Sequence, residues 1–112
     1  MFPARGADRS PVEIFSDRVD VNLESQVTVF QGNVRLLFLP YKARCQKASV
    51  YLNARTQKVD KITMSGDVVI EKGTQVLKGR QITLDVPRNR LKIEGQVYTR
   101  FQLERPLNLN LN

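Results

Sequence analysis

Few residues of this chain could take part in chemistry. Its 112 residues include no histidine and one cysteine, Cys45. Without histidine the commonest general base and the commonest transition-metal ligand are missing. One cysteine makes neither a four-ligand zinc site nor an internal disulfide. Zinc enzymes and Ser-His-Asp hydrolases are therefore excluded, and Cys45, with no base to activate it, reads as a small buried hydrophobe. The carboxylates Asp17, Asp20, Asp60, Asp67 and Asp85 fall mostly at turns or alternate outward. None forms an interior pair whose surroundings would set one as acid and the other as base. These residue types point away from an enzyme and imply no cofactor and no metal.

Charge is the stronger signal. Lys and Arg number 18 against 11 Asp and Glu, a net charge of +7, which suits an anionic partner: nucleic acid, anionic lipid or an acidic surface. Cations cluster in Tyr41-Lys42-Ala43-Arg44-Cys45-Gln46-Lys47 and again in Arg80, Arg88, Arg90, Lys92 and Arg100. Each cluster is either a solvated outer face or a means of attracting phosphate, which arginine pairs bidentately. A nucleic-acid surface would also interleave aromatics for base stacking. Here Tyr41, Tyr51 and Tyr98 are scattered and no recognition motif accompanies them, so no nucleic acid is expected and a basic nucleic-acid-binding β-domain is the alternative reading. A purely structural, polymerising β-stack is a second alternative.

The elements that must position these residues are strands. From Val12 to Leu103 the chain runs in short alternating segments rich in Val, Ile, Leu, Thr, Tyr and Phe, with no helical periodicity. The expectation is an all-β fold, an open jellyroll-like stack of about nine or ten short antiparallel strands. Residues 1–10 read as a flexible lead-in, residues 11–105 as a single domain, and residues 106–112 as a tail or an added edge strand. No stretch approaches the roughly 20 apolar residues of a membrane span. Met1 to Ser10 lacks the apolar segment of a secretory signal, so an exported form would carry its signal or anchor outside these residues.

The pattern repeats. Alternating strands at Arg18–Leu23, Ala48–Asn53 and Arg80–Asp85 each lead into a polar turn. Each turn leads into a strand of the form apolar, spacer, Gly, polar, Val: Phe30-Gln31-Gly32-Asn33-Val34, Met64-Ser65-Gly66-Asp67-Val68 and Ile93-Glu94-Gly95-Gln96-Val97. The spacing is that of repeat architectures whose units need neighbours to bury their apolar faces. Glycine inside a strand marks a bulge, a bend or a close backbone approach. The other reading, a hairpin turn at each Gly-polar pair, fits poorly with Ile62 to Ile70, which keep one parity through Gly66.

Parity assigns an inward face to Val19, Val21, Leu23, Phe30, Val34, Leu36, Phe38, Val50, Leu52, Ile62, Met64, Val68, Ile70, Ile82, Leu84, Leu91, Ile93 and Val97. Such a face is either a closed core or an apolar groove. Arg35-Leu36-Leu37-Phe38-Leu39-Pro40 is apolar on both faces, so it reads as a central strand packed on both sides, or as a docking edge or groove mouth.

The repeated motifs resemble the lipopolysaccharide-export protein A, or OstA-like, β-jellyroll family. The likeness lies in Ser16-Asp17, Val29 to Val34, Lys47 to Leu52 and Ile62 to Val68, with a degenerate third copy from Gly79 to Val97. It covers roughly residues 12 to 103. Gln96 stands in the third copy where the others have Asn or Asp, and the chain is shorter than a typical periplasmic bridge protein of the family. The resemblance implies a non-catalytic periplasmic transport protein of Gram-negative bacteria that holds the acyl chains of lipid A between sheet walls and bridges export components of the inner and outer membranes. On that reading the groove is lined by Val21, Phe30, Val34, Leu36, Phe38, Val50, Leu52, Ile62, Met64, Val68, Ile82, Leu84, Ile93 and Val97. Lys42, Arg44 and Lys47 would attract the phosphorylated headgroup. Homologous domains, or further copies head to tail, would join at edges formed by Val12, Ile14 and Phe15 and by Tyr98, Phe101 and Leu103.

Overall fold

The computed structural model describes residues 11–101, and among these there is no helix. The strands are β1 (Glu13–Phe15), β2 (Arg18–Asn22), β3 (Val27–Phe38), β4 (Tyr41–Leu52), β5 (Val59–Lys72), β6 (Gln75–Asp85), β7 (Arg90–Glu94) and β8 (Tyr98–Arg100). All join one antiparallel sheet, in the order β1-β3-β4-β5-β6-β7, with β2 also on β3 and β8 also on β6. Among the described residues the strands number eight, and β3 to β6 are long, running unbroken through the bends. The lead-in, the tail and Leu103 lie outside the described residues.

A sheet with one apolar face must bury it, and here it does so by folding on itself. β1 pairs with the end of β3 around Leu36, while β2 pairs with its beginning around Val29. At the other side, β8 pairs with the start of β6 and β7 with its end. The ladder shifts register between these halves, at Gln31/Val34 in β3, at Arg44/Lys47 in β4 and at Ser65/Val68 in β5. The result is two walls. The first consists of β1, β8 and the segments 34–38, 41–45, 68–72 and 75–79. The second consists of β2, β7 and the segments 27–31, 47–52, 59–65 and 81–85. Val34, Leu36, Val68 and Ile70 of the first wall share one core with Ala48, Val50, Ile62, Met64 and Ile82 of the second. Burying each of the larger side chains contributes roughly 1.5–3 kcal/mol.

The fold line is written in the Gly-polar pairs. Gly32 and Asn33, Gly66 and Asp67, and Gly95 and Gln96 all have positive φ, a conformation that glycine takes at little cost and that side chains resist. Two such residues in succession bulge β3 and β5 and return the chain to its former parity. Phe30 and Val34 therefore face inward alike, as do Met64 and Val68. The partner strand has no such pair and switches parity instead. In β4 the inward residues are Tyr41, Ala43 and Cys45 before the bend and Ala48, Val50 and Leu52 after it. These bends lie within β3 and β5, so the glycines there are not hairpin turns.

The turns that close the second wall repeat as well. Asn22 Oδ1 accepts from the N–H groups of Glu24 and Ser25, and Asn53 Oδ1 from those of Arg55 and Thr56. Asp85 accepts from the backbone and guanidinium of Arg88, and that side-chain hydrogen bond holds its carboxyl below the usual range. Gln26, Gln57 and Asn89 complete the three turns, each with positive φ.

Four residues read as facing inward are exposed. Val19 and Val21 are 55% and 54% exposed. They share a face with Phe30 and Thr28, their register partners, but among the described residues no strand lies beyond β2. Val97 is exposed beside the edge strand β8, and Leu23 has left β2 for the turn. The run from Arg35 to Pro40 is not covered on its second face. Leu37 is half-buried between Glu13 and Lys42, and Leu39 is exposed in the turn that follows.

Candidate functional site

The inner face of the folded sheet is largely apolar across its width. Phe30, Phe38, Leu52, Leu84, Leu91 and Ile93 are partly buried around the core. Gaps remain where the two walls diverge. A cleft of about 140 Å³ separates Val12 and Ile14 of the first wall from Thr28, Phe30, Val50, Leu52, Val59 and Ile62 of the second. A further cleft of about 100 Å³ lies between Tyr41, Ile70, Lys72, Gln75, Leu77 and Phe101. Beyond them the apolar face ends at two open edges, with Val19 and Val21 exposed at one and Val97 and Phe101 at the other. Such a surface offers a hydrocarbon chain burial without any directional demand.

The residues proposed for the groove from sequence thus fall on one face. Val34, Leu36, Val50, Ile62, Met64, Val68 and Ile82 are buried in the core, Phe30, Phe38, Leu52, Leu84 and Ile93 are partly buried around it, and Val21 and Val97 are exposed at the edges. Ala43, Cys45 and Ala48 also lie in the core, hidden in a segment that reads as a basic cluster. Alternation with Lys42 and Arg44 puts Ala43 and Cys45 on one face, but which face that is depends on where β5 bends. Lys42, Arg44 and Lys47 are exposed and face outward. Among the described cations, Lys72 lies beside the inner face. It shares the parity of Val68 and Ile70, lies 5.6 Å from the ring centroid of Tyr41, and lines the cleft near Phe101. Tyr41 in turn stacks on Phe38 at 5.4 Å. Lys72 lies just past Ile70, where the alternating run read from the sequence ends. The proposed edge residues Val12, Ile14 and Phe15 lie in or beside β1, and Tyr98 and Phe101 in or beside β8.

Cys45 offers no nucleophile. It is 4% exposed, its thiol donates to the carbonyl of Lys47, and burial pushes its pKa up to about 11. Among the described residues no three His, Cys, Asp or Glu side chains gather as metal ligands. On the outer face, Arg35 lies over Phe15, Lys61 over Tyr51 and Lys78 over Tyr98, so those rings are already covered on one side by a cation.

Residues 13–104 match the family described as LptA/(LptD N-terminal domain) LPS transport protein. No curated protein matches the chain in sequence. Among solved structures, one similar in fold is LptH, the LptA-homologous periplasmic component of the lipopolysaccharide transport device of Pseudomonas aeruginosa. It is 10% identical, with 85% of this chain and 97% of that chain covered and a TM-score of 0.41.

Proposed function

We propose, from the premise that the chain belongs to the LptA/LptD N-terminal family of LPS transport proteins, that it carries lipopolysaccharide with the acyl chains held between its two walls. The family is one of transport proteins and not of enzymes, in keeping with the residue types of the chain. The observation that carries the proposal is the largely apolar inner face, buried at its centre and exposed at both edges. Each methylene moved out of water contributes roughly 0.8 kcal/mol, so a few acyl segments suffice for retention. Lys72, at the mouth beside Tyr41, favours the phosphorylated end of the lipid by charge and fixes which end of the ligand lies there.

The same edges suit assembly. β1 with β2 on one side and β7 with β8 on the other leave unpaired N–H and C=O groups, and such edges recruit further strands. A neighbouring domain stacked there would cover Val19 and Val21 and prolong the groove. Contacts of this kind are head-to-tail and do not close, so they yield a chain of copies, or one capped by homologous domains. The setting for such a bridge is the periplasm.

Photo-crosslinking tests the carrier function. A photoreactive residue at Phe30, Phe38 or Leu52 is expected to capture lipopolysaccharide, and one at Lys61 or Arg90 on the outer face is not. Equal capture at both sets would remove the groove.

A further inference from the structure

The outer face of the first wall carries one cross-strand row that the groove does not use. Register places Phe15 opposite Arg35, Arg35 opposite Arg44, Arg44 opposite Val69, Val69 opposite Lys78, and Lys78 opposite Tyr98. The row thus holds three cations and no carboxylate. Each end is closed by an aromatic ring under its neighbouring cation, at 5.5 Å in both cases. Like charges directly opposite each other on adjacent strands are destabilising. Among the described residues no carboxylate lies in salt-bridge contact with Arg35 or Arg44, the ion pairs being Arg88 with Asp85 and Lys92 with Glu94. The two arginines border a depression of about 330 Å³ above the fold line, between β3, β4 and β5. Gln46 and Asn33 bring amide groups to it, Val69 an apolar floor and Asp67 one carboxylate. The Asn33 amide is held by a hydrogen bond to Asp17.

We infer that this depression is an anion site, and that its ligand is a phosphate monoester seated between Arg35 and Arg44. Two guanidinium groups carried by residues opposite each other on adjacent strands, and bordering one depression, match the several oxygens and double charge of that group, and an occupant of that charge relieves their mutual repulsion. Asp67 opposes the anion and limits its affinity. The site lies on the opposite face of the sheet from the groove, so it stands or falls independently of the acyl-chain proposal. The ester could be a free sugar phosphate or the headgroup of a phosphorylated lipid.

The test titrates the intact protein with glucose 1-phosphate, with glucose as control, following the Nε–H signals of Arg35 and Arg44 and the amide of Val69 by NMR. A second arm measures co-sedimentation with phosphatidylcholine vesicles with and without phosphatidic acid. Saturable shifts with glucose 1-phosphate identify a soluble ester. Binding confined to phosphatidic acid vesicles identifies a lipid headgroup. In either case Arg35→Gln and Arg44→Gln are each expected to weaken binding roughly tenfold or more. Asp67→Asn is expected to tighten it, and Lys61→Gln, on the second wall, to leave it within about twofold. Both arginines are exposed, so the Gln variants should melt no lower than the parent. Binding to neither probe, or binding that survives both Arg variants, or an equal loss in Lys61→Gln, would overturn the assignment.

Discussion

Gly66 lies directly against Gln46: a Cβ on Gly66 would stand 2.6 Å from the Cβ of Gln46. The contact joins the bulge of β5 to the point where β4 switches parity. The arrangement recurs at both flanks, where Gly32 lies against Asp17 and Gly95 against Arg80. In those two pairs the glycine carbonyl accepts from the partner's N–H at 2.9 Å. The fold line is thus a row of close backbone approaches crossing the sheet.

Gly66→Ala is therefore expected to destabilise the protein by about 2–3 kcal/mol, from positive-φ strain together with the contact on Gln46. Gly73 also has positive φ, but open space surrounds its missing Cβ, so Gly73→Ala is expected to cost about 1 kcal/mol. Thermal melts of the two variants would separate the contributions, and equal shifts would show that the fold line is not a close approach.

The buried core and the exposed edge strand should respond differently. Ile62 is fully buried, and Ile62→Ala is expected to cost about 2–5 kcal/mol in denaturant unfolding. Val19 and Val21 are half exposed on β2, so lysine at both should shift stability by no more than roughly 1 kcal/mol. The same double change blocks a sheet edge with charge. It is expected to lower the apparent mass in concentration-dependent light scattering, whereas a wild-type protein that stays monomeric at high concentration would defeat edge-to-edge assembly of copies.

Lys72 provides a test of lipid orientation. Lys72→Glu reverses the charge at the mouth beside Tyr41, and it is expected to weaken lipopolysaccharide capture more than Lys42→Glu, whose side chain faces outward. The difference should shrink as salt rises, since the Debye length falls from about 10 Å at 0.1 M to about 3 Å at 1 M. Equal losses would instead indicate a diffuse attraction by the net charge of +7.

Cys45 links stability to alkaline pH. Its thiol titrates at about 11 in the folded protein against 9.0 ordinarily. Between those values the unfolded chain releases a proton that the folded chain keeps, so stability falls as pH rises through this window. The slope is at most about 1.4 kcal/mol per pH unit, and below pH 9 the contribution is intact. Denaturant unfolding of the wild type and of Cys45→Ala should diverge in pH dependence above pH 9. Parallel profiles would show that the thiol is not held neutral by burial.

The all-β class, the three turns and the three bends are legible in the residues alone. Each depends on neighbours a few residues apart: period-two alternation, an Asn or Asp opening a turn, a Gly-polar pair within a strand. The facing of Val19 and Val21 is legible there as well. Only the tertiary structure decided their exposure, because burial depends on what lies beyond an edge strand and not on parity. The same holds for the cations. Lys42, Arg44 and Lys47 are adjacent in sequence to core residues yet face away from them, while Lys72 lies beside the inner face because β5 recovers its parity after the bulge at Gly66 and Asp67. Ala43 and Cys45 join the core because β4 switches parity opposite that bulge. Their surroundings depend on a partner strand roughly 20 residues away, and no local pattern in β4 records where the partner will bend.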